Sequence, residues 1–167
     1  MRHLLFALIV SSLLSFSPQS LAGSASANLQ VSVVVDSSCN ISTSPLMFSD
    51  YNVLGANATS PDDGTGSVTI QCTNGVIANI GLDGGTAYSS GTNSSYMRDS
   101  VGHAIQYSLY QNLSRTTLWG NSSGSWLTTP AAPNTSPQTY TVYGRVPPGQ
   151  LAPSGTYTDT VVATVNF

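Results

Sequence analysis

Lysine and glutamate are absent from this chain of 167 residues, and charged side chains of all kinds make up only 7% of it. The formal charge of −3 comes from acidic residues that are all Asp, set against four Arg. With no basic stripe there is no electrostatic footprint for nucleic acid, and that partner is excluded. After residues 4–16 no apolar run approaches the roughly 18 residues that a membrane span needs, so no membrane insertion is expected.

The same scarcity bears on chemistry. General acid–base and phosphoryl reactions have little to work with where Glu, Lys and a phosphate-binding glycine loop are all missing. His103 is the one histidine beyond His3, and a lone histidine with no second His or free Cys cannot assemble a zinc site. Gly120-Asn121-Ser122-Ser123-Gly124 matches the nucleophile-elbow string, but that elbow needs a strand before it, a helix after it and a later His. A polar loop follows here, and no His lies beyond Ser122. Pro61-Asp62-Asp63-Gly64 reads as a turn. We expect no enzyme, no cofactor and no metal.

What is present begins with an address. Arg2 and His3 precede an apolar run over 4–16, and Ser20-Leu21-Ala22 supplies small residues for cleavage. That order predicts a secretory signal peptide over 1–22. In an exported chain the two cysteines, Cys39 and Cys72, are expected to form a disulfide. It would close a loop of roughly 34 residues, worth about 3–4 kcal/mol on the chain-entropy estimate.

Apolar residues recur with a period of two. The final stretch, 155–167, places Tyr157, Asp159, Val161, Ala163, Val165 and Phe167 on one side and Thr158, Thr160, Val162, Thr164 and Asn166 on the other. This is the pattern of a long half-buried strand, which needs partners along both edges. Residues 28–36 alternate likewise, with Leu29, Val31, Val33 and Val35 on one face. Strands are also predicted over 104–111, 116–119 and 139–146. Two more, 66–72 and 76–82, are expected to form a hairpin across Thr73-Asn74-Gly75. Residues 86–102 and 121–138 read as Ser/Asn/Gly-rich loops. Short strands with regular turn signals and no helix predict an all-β sandwich.

Several pieces, in order, resemble the spore coat protein U family, which includes subunits of archaic, Csu-type chaperone–usher pili. They are Cys39 with Leu46-x-Phe48-x-x-Tyr51, Gly66-x-Val68-x-x-x-Cys72, Met97-Arg98, Ile105-x-Tyr107-x-Leu109-Tyr110, Leu118-Trp119-Gly120 and Tyr143-Gly144-Arg145. Pro148-Gly149-Gln150 and Gly155-x-Tyr157-x-Asp159-x-Val161 lead to the closing Val165-Asn166-Phe167.

The resemblance implies an incomplete immunoglobulin-like β-sandwich of the pilin type, completed by donor-strand exchange. In such pili a periplasmic chaperone fills the groove beside the last strand, and the N-terminal strand of a neighbouring pilus subunit replaces it during assembly at an outer-membrane usher, so these are the expected partners. This is β-augmentation. Leu29, Val31, Val33 and Val35 match the donor, and Tyr157, Val161, Ala163, Val165 and Phe167 the acceptor strand. The Phe167 carboxylate is the chaperone's expected anchor. Residues 23–38 are then the N-terminal extension and 39–167 the pilin domain. The protein would travel through the periplasm to the cell surface and serve adhesion or biofilm formation. The stretch 29–35 has two assignments, a donor strand or a core strand of its own domain. On the second, the protein is a secreted monomeric coat protein or a surface- or glycan-binding module using Tyr88, Tyr96 and Trp126.

Overall fold

A computed structural model describes residues 22–89 and 94–167. The expected signal peptide lies, but for Ala22, outside the described residues. The chain divides into two units, Met1–Val34 and Val35–Phe167. In the first, residues 22–34 form no strand and are exposed throughout, so the strand expected from the alternation at 28–36 is not formed among the described residues.

The second unit is all-β, with one short 3-10 turn at Ala56–Ala58. Its strands are β1 (Cys39–Met47), β2 (Asp62–Cys72), β3 (Asn79–Leu82), β4 (Ser95–Arg98), β5 (Ala104–Tyr110), β6 (Leu127–Thr128), β7 (Gln138–Val146) and β8 (Ala163–Asn166). They form a five-stranded sheet in the order β1-β2-β7-β5-β4 and a three-stranded sheet in the order β6-β3-β8. Every ladder is antiparallel.

The longest ladder joins β2 to β7, from Asp62 opposite Val146 to Ile70 opposite Gln138. In β2 the inward set Val68, Ile70 and Cys72 is buried, while Ser67, Thr69 and Gln71 face outward. The main core packs these residues against Ala78, Ile80 and Leu82 of the facing sheet, with Trp119 and Val142. Each fully buried Val or Ile contributes about 1.5–3 kcal/mol. Trp119 donates its indole N–H to the Ile80 carbonyl at 2.9 Å, which satisfies the one polar atom that this large side chain brings inside. A smaller cluster of Ile105, Tyr107 and Val146 lies under Phe48, Tyr51 and Tyr157.

Three expectations need correction. The 66–72/76–82 hairpin does not form, because β2 pairs with β1 and β7 while β3 lies in the other sheet. The Asn74-Gly75 turn, with Gly75 at φ +83°, hands the chain between sheets. Its N–H groups bond outward, Thr73 to the Ser38 carbonyl and Gly75 to the Ala132 carbonyl. Second, Asp62, Asp63 and Gly64 belong to β2 rather than to a turn, since pairing with Val146, Arg145 and Gly144 overrides their local preference. Third, the strand expected over 155–167 has ladder only at Ala163–Asn166, with one bridge from Thr158 to Arg98.

Candidate functional site

The short C-terminal ladder marks the site. β8 pairs with β3 on one side and, among the described residues, has no ladder partner on the other. In the opposite sheet β1 is likewise terminal. Its pairing with β2 slips between Ser44 and Met47, where Pro45 lacks an N–H to donate. Two unpaired edges therefore flank an opening of about 1030 Å³ in the side of the sandwich.

Leu46, Phe48, Val68, Leu109, Val142 and Val161 are among the apolar side chains that line this groove. Its backbone walls are close-fitted. A Cβ added at Gly144 would stand 2.8 Å from Phe48 Cζ, and one at Gly66 2.9 Å from Leu46 Cβ. At Gly66 the neighbours are the Leu46 Cβ and backbone, so glycine is needed for β2 to run this close, whereas at Gly144 the ends of the Phe48 and Leu46 side chains would have to shift.

Residues 157–163 form the opposite wall. Inward and outward positions alternate as the sequence indicates, yet Tyr157, Val161, Ala163 and Val165 are all only half-buried. The inward face of a strand inside a finished sandwich is buried; here it is short of a cover.

Side-chain bonds hold this wall where backbone ladder is lacking. The Asp159 carboxylate accepts from the Thr86 N–H at 2.9 Å, the Thr86 hydroxyl at 2.6 Å and the Tyr107 hydroxyl at 2.7 Å. Asp83 accepts from the Val162 N–H at 2.8 Å. Burial works to raise the Asp159 pKa, but the bonds from Thr86 and Tyr107 outweigh it and hold the carboxyl below its ordinary value. Burial, and next the Asp159 carboxylate, push the Tyr107 phenol upward. Beside the Phe48 end of the groove, Tyr51 donates to the Pro147 carbonyl at 2.6 Å and accepts from the Gln150 N–H at 3.1 Å. Asp62 also lines the groove, with Oδ1 accepting from the Ser49 hydroxyl at 2.7 Å.

Of the residues singled out in the sequence, Tyr157, Val161 and Ala163 line the groove. Val165 packs against the main core, and Phe167 is 58% exposed. Cys39 and Cys72 are directly opposed and joined in a disulfide, with Cα atoms 4.1 Å apart. Leu29, Val31, Val33 and Val35 are 75–87% exposed. His103 bonds through Nδ1 to Asp99 at 2.6 Å on the surface. Ser122 of the elbow-like string bonds to Ser125 within its own turn. Nothing in the sequence pattern marks Asp62, Phe48 and Val146 as parts of one site; Phe48 carries a signal in its spacing from Leu46 and Tyr51, whereas Asp62 sits in a string that reads as a turn.

Fold and groove define a class: an immunoglobulin-like all-β sandwich with an open groove between two unpaired edges. The chain belongs to the Spore Coat Protein U domain family, whose model matches residues 25–164. That family is structural, not enzymatic. The chain is 38% identical over 168 residues to "Protein U" of Myxococcus xanthus, covering 94% of this chain and 92% of that one. Among solved structures it is similar to a chain of the CsuC–CsuE chaperone–tip adhesion subunit pre-assembly complex from archaic chaperone-usher Csu pili of Acinetobacter baumannii. The TM-score is 0.57 at 22% identity, over 80% of this chain and 40% of that one, a likeness of fold.

Proposed function

We propose that the protein is a structural subunit of a surface pilus assembled by the chaperone–usher route, polymerising by donor-strand complementation. One observation carries this reading. The inward face of residues 157–163 is half-exposed along an unpaired edge, in a chain whose own alternating apolar segment, Leu29, Val31, Val33 and Val35, is exposed as well. A second copy's segment has what the groove lacks: backbone groups for the open edges and alternate apolar side chains for the floor.

On this reading residues 1–22 are removed on export, 23–38 form the donor extension and 39–167 the pilin domain. A periplasmic chaperone covers the groove until an outer-membrane usher exchanges it for the next subunit; the solved complex of a chaperone with a tip adhesion subunit has the matching partner class. A contact of this head-to-tail kind does not close on itself, so it makes fibres. Adhesion and biofilm formation are the roles such a fibre serves.

The test is the state of the protein recovered from cells, comparing full-length chain, a deletion of residues 23–36, and a Val31→Ser/Val33→Ser double variant. The expected result is an SDS-resistant ladder that collapses on heating, lost in both altered forms. Stable monomers from the full-length chain, with no chaperone attached, would overturn the reading. So would a double variant that fails to fold as a monomer, since the segment would then belong to its own core.

A further inference from the structure

Asp62 is 6% exposed, and its second carboxyl oxygen, Oδ2, is shut off from solvent with no hydrogen-bond partner among the described residues. Its first oxygen is used by Ser49. Buried polar atoms are almost always satisfied, so an orphan of this kind calls for a missing partner. Asp62 is also one of the residues lining the groove, at the end where Phe48, Val146 and Tyr157 meet.

We propose that Asp62 is a positioning residue for the strand that fills the groove, its Oδ2 taking a main-chain N–H of the incoming segment. This rests on the donor-strand reading above. Two arguments select a main-chain donor. The inward residues of the donor segment, Leu29, Val31, Val33 and Val35, are all apolar and have no hydrogen to give. A chaperone strand and a subunit strand must also satisfy the same groove in turn, and the backbone N–H is the group that any two strands share. The lip over Asp62 is Ser49, which holds Oδ1 and is itself exposed and outside any strand, so it can give way as the strand enters. An N–H delivered to Oδ2 at one point along the groove then fixes the register, which apolar contacts alone leave free to slip by two residues.

Asp62→Asn tests this. The amide keeps an oxygen for Ser49 and turns an N–H₂ group toward the incoming N–H, donor against donor. SDS-resistant multimers of the full chain should dissociate about tenfold or more faster at fixed temperature, as expected for loss of a hydrogen bond to a carboxyl group, while the thermal midpoint of the variant monomer stays at the wild-type value. Where Asp62→Asn does not fold, Asp62→Ser, which keeps an oxygen for Ser49, carries the same reading. Ser49→Ala leaves the carboxyl in place and should dissociate within about twofold of wild type. Wild-type dissociation rates in Asp62→Asn overturn the inference alone. It also fails if Ser49→Ala loosens multimers as much as Asp62→Asn, because the carboxyl then acts through the lip. Absence of multimers from the wild-type chain overturns the donor-strand reading with it.

Discussion

Tyr107 on β5 gives its phenolic hydrogen to the Asp159 carboxylate across 2.7 Å, and so ties the five-stranded sheet to a C-terminal wall that has almost no ladder of its own. The same carboxylate collects the N–H and the hydroxyl of Thr86. On the donor-strand reading proposed above, a groove kept open for an incoming strand cannot use backbone pairing along that edge. Side-chain bonds reaching the wall from its other side hold it without blocking the edge.

Asp159→Asn is expected to destabilise the protein by about 2 kcal/mol at pH 7, the scale of a hydrogen bond to a charged group. The effect has a defined pH dependence. The folded-state pKa of Asp159 is lowered, because the bonds from Thr86 and Tyr107 outweigh the opposing effect of burial. A carboxyl with a depressed folded pKa contributes stability in full above its unfolded value, near 4, and loses it as pH falls through the lower folded value. Asp63 is lowered also, first by its bond from Arg145 at 2.7 Å, and adds to the same window. Urea midpoints of the wild type should fall below about pH 4, and Asp159→Asn should flatten that fall. A variant with an unchanged acid slope would show that Asp159 does not anchor the wall.

Gly85 offers a sharper test of the same anchor. Its φ is +79°, and a Cβ placed there would overlap the Asp159 carboxyl. Gly85→Ala therefore combines left-handed backbone strain, about 1–3 kcal/mol, with displacement of the bonds to Thr86. We expect it to cost at least as much as Asp159→Asn, and the double variant to cost less than the sum, because both act on one contact. Chemical denaturation of the three proteins measures this; full additivity would separate the two residues.

The parts of this fold legible in the sequence are those where burial imposes a period of two. The alternation of residues 139–146 and 104–111 gives β7 and β5 nearly to the residue, and the inward set of 157–165 is the observed one. β1 carries no such signal, because an edge strand with one exposed face needs no apolar alternation; CNISTSPLM has Ser, Thr and a Pro at its bulge. β4 and β6 are short pairings inside polar loops, stabilised by neighbours and not by their own composition. The groove was visible only as resemblance. Its lining comes from β1, β2, β5, β7 and the C-terminal run together, and nothing local to any one of them marks a shared surface.

The disulfide joins the two residues that open the β1–β2 ladder. Cys39→Ser/Cys72→Ser is expected to lose about 3–4 kcal/mol, the loop-closure value for this separation, read as a lower urea midpoint at unchanged slope. Because β1 carries the Leu46 side of the groove, the loss should extend to function: multimers of the double variant should melt at lower temperature than the wild type. Equal multimer stability would mean that β1 is positioned by its backbone ladder alone.

Val161 separates an open groove from a closed core. It is half-buried, touches both apolar clusters and lines the groove. In Val161→Arg the loss of partial burial costs about 1 kcal/mol, while the long side chain reaches water through the opening and keeps its charge hydrated. The variant monomer should therefore fold, with a thermal midpoint only about 3–4 °C lower. It should form no SDS-resistant multimers, since the guanidinium fills the place of an incoming apolar side chain. In a sandwich already closed at this position the same charge would be buried without a partner, at a cost of several kcal/mol, and the variant would not fold. Circular dichroism and gel mobility of one protein thus decide whether the space beside Val161 is empty in the single subunit and filled in the assembly.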